Sequence, residues 1–92
     1  MSQAVSLGTS VNRKPPYPLL ARQRGQQGLV VLRVQVGPDG QVANLAVQRS
    51  SGYALLDAAA EKAVVAWRFV PAQGKDGPIA SDVFVPVEFR LR

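Results

Sequence analysis

The sequence predicts one α+β domain whose elements follow in the order helix, strand, strand, helix, strand. Three observations carry this prediction: a period-two apolar pattern near the C-terminus, a turn motif between two apolar runs, and one amphipathic helix. Together they give a three-stranded antiparallel/mixed sheet with strand order 2-1-3 and two helices on one face. A chain of 92 residues has room for one such domain.

The N-terminal part of the chain is polar before it becomes proline-rich. Residues 1–14 are mostly small and polar, so we expect a flexible linker remnant there and the folded domain over residues 15–92. The prolines that follow hold their predecessors in extended conformations. Pro18 is well placed to begin a short helix over Leu19 to Arg24, and Gly25 is well placed to end it.

Two apolar runs separated by a turn predict a β-hairpin. Leu29 to Val36 is rich in β-branched residues and predicts the first strand. The segment from Gly37 to Gly40 favours a type I turn that is closed by a left-handed glycine, with Asp39 as a turn former. The second strand is expected over Gln41 to Ser50, with either a bulge or a frayed end near Val42, where the apolar parity breaks.

One strong helix is predicted over Ala54 to Trp67. Its apolar residues form a single stripe, and its acidic residues lie on another side, where we expect them to be solvated. The stripe consists of Leu56, Ala60, Ala63 and Trp67, and the acids are Asp57 and Glu61. Trp67 and Phe69 are expected in the core, and Gln73 to Pro78 is expected to be a polar loop.

The C-terminal stretch from Ser81 to Arg92 alternates apolar and polar residues, which predicts a strand with one buried face. Pro86 lies inside this stretch and cannot donate to a ladder, so the strand belongs at an edge of the sheet. An open edge invites pairing with another chain. We therefore interpret the strand as a docking site for an extended peptide. The same edge can pair two fragments into a homodimer.

The composition limits the chemistry that the chain can perform. It has no histidine and no cysteine, which leaves no usual base for a nucleophilic triad and no zinc-ligand set. The segment from Gly25 to Gly28 is too sparse for a phosphate-binding loop, and it precedes a strand instead of a helix. We therefore expect no enzymatic activity, no cofactor and no metal site.

The net charge is +5, from 11 Lys and Arg residues against 6 Asp and Glu. This balance favours anionic partners such as nucleic acid, lipid head groups or acidic peptides. The basic residues are scattered along the chain, and the aromatic residues have core-like spacings, so the sequence favours a solvated basic surface over a nucleic-acid interface. No run approaches the roughly 20 apolar residues that span a membrane.

Several short motifs resemble one known family in their order and spacing. Pro16-Tyr17-Pro18 precedes the short helix, Gly28-Leu29-Val30 opens the first strand, and Ser50-Ser51-Gly52 precedes the long helix. The others are Pro38-Asp39-Gly40, Leu56-Asp57-Ala58-Ala59, Trp67-Arg68-Phe69-Val70-Pro71-Ala72 and Val85-Pro86-Val87-Glu88-Phe89. From Pro15 to Arg92 the chain resembles the C-terminal domain of TonB.

The resemblance implies a role in the envelope of a Gram-negative bacterium. TonB-like proteins are anchored in the inner membrane by an N-terminal helix and act with ExbB- and ExbD-like proteins that harvest the proton gradient. Their C-terminal domain lies in the periplasm and grips the TonB box of outer-membrane receptors for siderophores, haem or cobalamin. The box adds as a strand beside the domain's final strand, and the transmitted force alters the receptor's plug.

Carried over to this chain, the resemblance implies a set of partner-binding residues. The strand-adding grip falls on Ser81, Asp82, Val83, Phe84, Val85, Pro86 and Val87. A secondary contact region falls on Arg13, Lys14, Pro15 and Pro16. Arg68 is either a helix cap or a partner contact. Phe84 either packs on the sheet or contacts the partner, whereas Val85 is expected to pack in the core.

Two alternative functions remain open on the sequence alone. A TolA-like scaffolding domain of an envelope machine would bind another periplasmic domain instead of a receptor peptide. A basic nucleic-acid-binding module would show tight binding that falls steeply with salt.

Overall fold

The computed structural model describes residues 3–8 and 11–91 of the chain. Met1, Ser2, Thr9 and Ser10 of the expected linker, and Arg92 at the end of the expected final strand, lie outside the described residues. In chain order the elements are β1 (Val5–Ser6), α1 (Leu19–Gln23), β2 (Gly28–Val36), β3 (Val42–Arg49), α2 (Ala54–Val64), β4 (Phe69–Val70), β5 (Ala72–Gly74), β6 (Gly77–Ile79) and β7 (Ser81–Phe89).

The principal sheet has three strands in the order β3-β2-β7. The central strand β2 pairs antiparallel with both of its neighbours. A hairpin joins β2 to β3, and α2 carries the chain across to the far side of β2, so the predicted order 2-1-3 is confirmed. The β2–β7 register is unbroken, from Gly28 opposite Phe89 to Val36 opposite Ser81.

The core lies between this sheet and the two helices. Inward residues of β2, α2 and β7 are buried in one cluster, and Ala21 of α1 joins them. The cluster includes Val30, Leu32, Val34, Val36, Leu56, Ala60, Val64, Val85, Val87 and Phe89. Burial of each Val, Leu or Phe side chain stabilises the fold by about 1.5–3 kcal/mol relative to exposure. Tertiary packing of this kind, more than intrinsic propensity, stabilises helices as short as these.

The turn between β2 and β3 has the predicted geometry. The Gly40 N–H donates to the Gly37 carbonyl at 2.9 Å, and the Gly37 N–H donates to the Gln41 carbonyl at 2.9 Å. Gly40 has φ +80°, and the Asp39 carboxylate accepts from the Gln41 N–H at 3.0 Å. The register also shifts between Gln35 and Val36, which is paired with Val42, so of the two alternatives predicted near Val42 the structure shows the bulge.

The long helix is shorter than the sequence predicts. It ends at Val64, and its buried stripe is Leu56, Ala60 and Val64, so the expectation that Ala63 and Trp67 continue the stripe inside the helix is wrong. The last turn tightens, because the Trp67 N–H donates to the Val64 carbonyl at 2.9 Å. The chain must turn there to place Phe69, whose N–H donates to the Gly40 carbonyl at 2.8 Å.

Two further expectations about the C-terminal half are corrected. Gln73 to Pro78 is not a loop but the greater part of a hairpin, in which β5 pairs antiparallel with β6. The final strand ends at Phe89, which lies opposite Gly28, the first residue of its partner β2, so the expectation that the strand continues to Arg92 is wrong as far as Leu91. The alternation within the strand is confirmed, since Val85, Val87 and Phe89 are buried.

Asp57 is not solvated in the way that the sequence suggests. Its carboxylate accepts hydrogen bonds from the hydroxyls of Ser50 and Ser51 and from the backbone N–H of Ser51. Both serines precede α2. Partial burial raises the pKa of the Asp57 carboxyl, but these hydrogen bonds outweigh burial and hold the pKa below its usual value. The side chain therefore ties the end of β3 to the first turn of α2.

Residues near the N-terminus contact the domain, which the composition does not indicate. β1 pairs antiparallel with β4, with Val5 opposite Val70. Ala4 is buried, and the Leu7 N–H donates to the Arg68 carbonyl at 3.1 Å. A strand of two residues is too short to carry a recognisable period. The division of the chain into a linker remnant over residues 1–14 and a domain over residues 15–92 stays a prediction.

Candidate strand-docking edge

The outer edge of β7 is unpaired among the described residues. β7 is hydrogen-bonded to β2 on one side, and in the described ranges no strand lies on its other side. The strand is nine residues long and has no register shift. It therefore presents a straight row of backbone groups, which is the template that strand addition needs.

The opposite edge of the sheet, formed by β3, is less regular. The pairing of β3 with β2 shifts register twice, between Val31 and Leu32 and between Gln35 and Val36. Each shift is a bulge that twists the strand and interrupts the even spacing of its outward groups. Bulges at edges are one of the ways in which proteins discourage pairing with other strands. The β7 edge is the better candidate for this reason.

Pro86 fixes which backbone groups of β7 face outward. It lies opposite Val31, and it has no N–H to donate across the ladder. In an antiparallel strand both backbone groups of one residue point to the same side, and this side alternates along the chain. We infer that the even-numbered residues Asp82, Phe84, Pro86 and Glu88 face the open edge. The odd-numbered Leu91 fits this assignment, since its N–H donates inward to Gln27 Oε1 at 3.0 Å.

The side chains of the predicted grip divide between the two faces of β7. Val85 and Val87 are buried in the core and Val83 is half-buried against it, so the expectation that Val85 packs in the core is confirmed. Phe84 is 63% exposed and lies opposite Arg33, so it contributes little to the fold. It offers an aromatic surface beside the open edge.

Asp82 and Ser81 begin the strand. The Asp82 carboxylate accepts two hydrogen bonds from Arg33, at 2.6 and 3.2 Å. Both partners of this ion pair are largely exposed, so it stabilises the fold by about 1 kcal/mol or less. The buried Ser81 hydroxyl has no hydrogen-bond partner among the described residues.

Asn12 holds the secondary contact region against the domain. It is 2% exposed, and its side-chain amide donates to the Arg68 carbonyl at 2.8 Å while its side-chain oxygen accepts from the Arg68 N–H at 2.7 Å. The Trp67 indole N–H donates to the Arg13 carbonyl at 2.8 Å. We call these three hydrogen bonds the Asn12 clip. No motif indicated Asn12, because a single polar residue in an irregular segment has no periodicity to reveal its burial.

The clip brings part of the secondary contact region to β7. Lys14 and Pro15 line a cavity of about 400 Å³ together with Pro86, Val87 and Glu88. The structure thus unites four of the predicted partner-binding residues in one groove beside the open edge. Arg13 and Pro16 do not line this groove and instead face α2.

Arg68 is set apart from the open edge. Its backbone is held by Asn12 and forms an isolated bridge with Gln41. The helix ends four residues earlier, at Val64, and the Arg68 side chain donates no hydrogen bond in the part of the chain that the structure describes. Of its two predicted roles, the helix cap is therefore wrong, and the partner contact stays a prediction.

Tyr17 anchors the end of the same groove. Its ring meets the Phe89 ring edge to face, with centroids 5.4 Å apart, and its hydroxyl donates to the Gln26 carbonyl. The Arg22 guanidinium lies 5.5 Å from the centroid of the Tyr17 ring. These contacts fix α1 against the end of β7.

Within the described ranges, no three or more carboxylate, histidine or cysteine side chains gather where a metal ion could bind. The same residues contain no helix that is long and apolar enough to cross a membrane.

Comparison with known proteins places the chain in a family. Residues 13–91 match the family model described as Gram-negative bacterial TonB protein C-terminal. The chain is 48% identical over 80 residues to Protein tonB2 of Pseudomonas aeruginosa, which covers 87% of this chain and 30% of that protein. It is 32% identical over 82 residues to Protein TonB of Vibrio cholerae, covering 89% of this chain and 34% of that protein. The chain thus spans about a third of the length of these curated relatives.

Two solved structures share the fold. The solution NMR structure of the Pseudomonas aeruginosa TonB CTD matches with a TM-score of 0.75 at 24% identity, covering 99% of this chain and 89% of that chain. A Helicobacter pylori TonB-CTD matches with a TM-score of 0.67 at 23% identity, covering 89% and 86%. Identities this low support the fold alone, but the family model covers most of the chain. The chain belongs to the family of C-terminal domains of the TonB proteins of Gram-negative bacteria.

Proposed function

We propose that this domain docks the TonB box of outer-membrane TonB-dependent receptors by β-strand addition at the open edge of β7. The single observation that supports this most is the long, unbroken and unpaired edge of β7, in contrast to the bulged edge of β3. The grip is formed by Ser81 to Val87, and Lys14 and Pro15 extend it into the adjoining groove.

The strength of such a grip follows from its hydrogen bonds. Each backbone hydrogen bond contributes about 0.5–1.5 kcal/mol net. About five of them supply roughly 3–7 kcal/mol before the cost of association. Pro86 removes one outward donor, which keeps the total at the lower end. A weak, reversible grip suits a domain that cycles among receptors.

Membership of the family supports a wider setting for the domain. In our proposal the domain works in the periplasm, as part of a longer protein that is anchored in the inner membrane. It transmits energy derived from the proton-motive force by an ExbB/ExbD-type complex, which contacts parts outside this chain. The receptor, and not this domain, selects the cargo, whether siderophore, haem or cobalamin. The domain itself performs no enzymatic chemistry.

A titration of the ¹⁵N-labelled chain with a synthetic TonB-box peptide tests the docking proposal. We expect the largest backbone amide shifts from Ser81 to Val87, with smaller shifts at Lys14. Shifts that cluster on β3 instead, or no shifts at millimolar peptide, would refute it. Two N-methylated peptides serve as matched controls. One peptide is methylated at its odd-numbered amides and the other at its even-numbered amides. Only one of the two should lose binding, because in the added strand only every second residue directs its N–H towards β7.

A further inference from the structure

A second groove lies on the other side of the clipped segment, between residues 11–18 and α2. It encloses about 850 Å³, roughly twice the volume of the groove beside β7. Its lining is mostly apolar and includes Val11, Leu55, Ala59, Ala63 and Trp67. Three cations, Arg13, Lys14 and Lys62, line it as well. We call this the α2 groove.

The α2 groove exists because two elements are held apart. The fully buried residues of α2 are Leu56, Ala60 and Val64, and the neighbouring stripe of mostly small side chains is only partly covered. The Asn12 clip fixes the N-terminal segment at the end of α2, and its prolines keep it extended. The segment therefore forms a wall beside the stripe and does not collapse onto it.

The charges around the groove have one sign. Arg13, Lys14 and Lys62 line it, and no acidic residue does. The described residues contain two salt bridges, Arg33 with Asp82 and Arg90 with Glu88, and neither involves these cations. An occupant that carries carboxylates at the margins of an apolar face would complement this arrangement.

The walls also indicate the form of the occupant. The backbone of α2 is hydrogen-bonded within the helix, and the extended wall is rich in prolines, which have no N–H. Neither wall offers a strand edge, so recognition must come from side chains, as in helix-in-groove binding. The alanines at 58, 59, 63 and 66 let the backbone of a second helix approach α2 closely.

We propose that the α2 groove binds an acidic amphipathic helix of a partner protein. This helix inserts Leu- or Ala-sized residues at positions i, i+3/i+4 and i+7 and places Asp or Glu beside Arg13, Lys14 and Lys62. The α2 groove shares Lys14 and Trp67 with the groove beside β7 but contains no residue of β7, so the inference does not depend on strand addition.

A designed peptide provides the probe. A capped 15-residue helix with a Leu/Ala stripe flanked by Glu is titrated into the ¹⁵N-labelled chain, with a Lys-for-Glu version as the charge control. We expect shifts along α2 and at the Trp67 indole, little change at β7, and binding about threefold to tenfold weaker for the Lys version. Absence of shifts at millimolar peptide, or shifts confined to β7, would overturn the proposal.

Variants of exposed residues locate the site without disturbing the core. Lys62→Glu should lower the affinity for the Glu peptide about threefold to tenfold and raise the affinity for the Lys peptide. Lys75→Glu makes the same charge change in the β5–β6 turn and should change neither affinity. Ala58→Phe should block the groove, and Ala54→Phe, outside it, should not. Equal effects of a variant and its control would overturn the proposal.

An anionic membrane is the competing occupant. The same spectra recorded with phosphatidylglycerol vesicles test it, because a helix-specific groove should leave the α2 amides unchanged by vesicles. If vesicles shift the α2 amides and the Glu peptide does not, the groove is a lipid site and the proposal is wrong.

Discussion

The Trp67 indole N–H donates to the backbone carbonyl of Arg13 at 2.8 Å, across 54 positions of sequence. This hydrogen bond joins the turn after α2 to the segment that separates the two grooves. Both grooves are lined by Trp67 and by Lys14. The position of one short segment therefore shapes the surface beside β7 and the surface on α2.

Asn12→Ala should release this segment. The substitution removes the side-chain partner of the Arg68 N–H, and one of the two partners of the Arg68 carbonyl, at a partly buried site, so we expect a loss of about 1–3 kcal/mol in the free energy of unfolding. Chemical denaturation measures this loss, and Gln73→Ala, at an exposed position of β5, is the control. Affinity for a receptor peptide should also fall, because Lys14 is no longer held beside Pro86. An unchanged free energy of unfolding would show that the clip does not stabilise the domain.

Gly40→Ala should be among the most destabilising single-methyl additions in the chain. Gly40 has φ +80°, and an added Cβ would overlap the Phe69 carbonyl oxygen. Gly52→Ala is a matched control, since Gly52 has φ +95° but no atom within 4 Å of the added Cβ. We expect the control to lose about 1–2 kcal/mol from backbone strain alone and Gly40→Ala to lose clearly more. If thermal denaturation shows equal losses of stability for both variants, the Phe69 carbonyl moves away from the added Cβ at little cost in free energy, and the prediction is wrong.

Features of this fold that depend on neighbouring residues can be predicted from the sequence, and features that depend on distant residues cannot. The alternation of β7 was readable because burial of one face of a strand imposes a period of two, and Pro86 then placed the strand at an edge. The turn at Gly40 was readable because its chemistry is contained in four residues. In both cases neighbouring residues determine the structure, so the sequence pattern suffices.

Other features depend on partners that are distant in the sequence. Val65 and Ala66 could continue α2, yet the chain turns there because Phe69 must reach Gly40. Asn12 is buried by contacts 56 residues away, which no local pattern records. The pairing of β1 with β4 and both grooves also arise from contacts between residues that are distant in the sequence. The resemblance to a family therefore implies partner-binding residues on β7 but does not imply the α2 groove.

Asp57→Asn should make stability less dependent on pH. The hydrogen bonds from Ser50 and Ser51 lower the pKa of Asp57 in the folded state, so its contribution is present above the unfolded pKa of about 3.9 and is lost as pH falls through the folded value. At pH 7 we expect the variant to be about 1–2 kcal/mol less stable. The difference should shrink as the pH falls below the unfolded pKa and through the lowered folded pKa of Asp57. Urea denaturation at pH 7 and over the acidic range measures this difference, and a difference that does not change with pH would contradict the prediction.

Phe84→Ala should separate docking from folding. The ring is 63% exposed, so its removal should change the free energy of unfolding by less than about 1 kcal/mol. If the ring covers the added strand, affinity for a receptor peptide should fall about threefold to tenfold. Val85→Ala is the opposite control, since Val85 is buried and its truncation should destabilise the fold. If Phe84→Ala leaves the peptide affinity unchanged, the Phe84 ring does not contact the peptide and binding rests on the backbone hydrogen bonds.

Pro86→Ala should strengthen the grip without strengthening the fold. If the backbone of Pro86 faces the open edge, the substitution restores an outward N–H and leaves the β2–β7 ladder unchanged. One additional hydrogen bond of about 0.5–1.5 kcal/mol should tighten binding of a receptor peptide about twofold to tenfold. The same donor should raise self-association of the free domain, which sedimentation can measure, because an unbroken edge pairs more readily with another copy. A gain in folding stability with no gain in peptide affinity would mean that Pro86 faces β2, and that the odd-numbered residues form the docking edge.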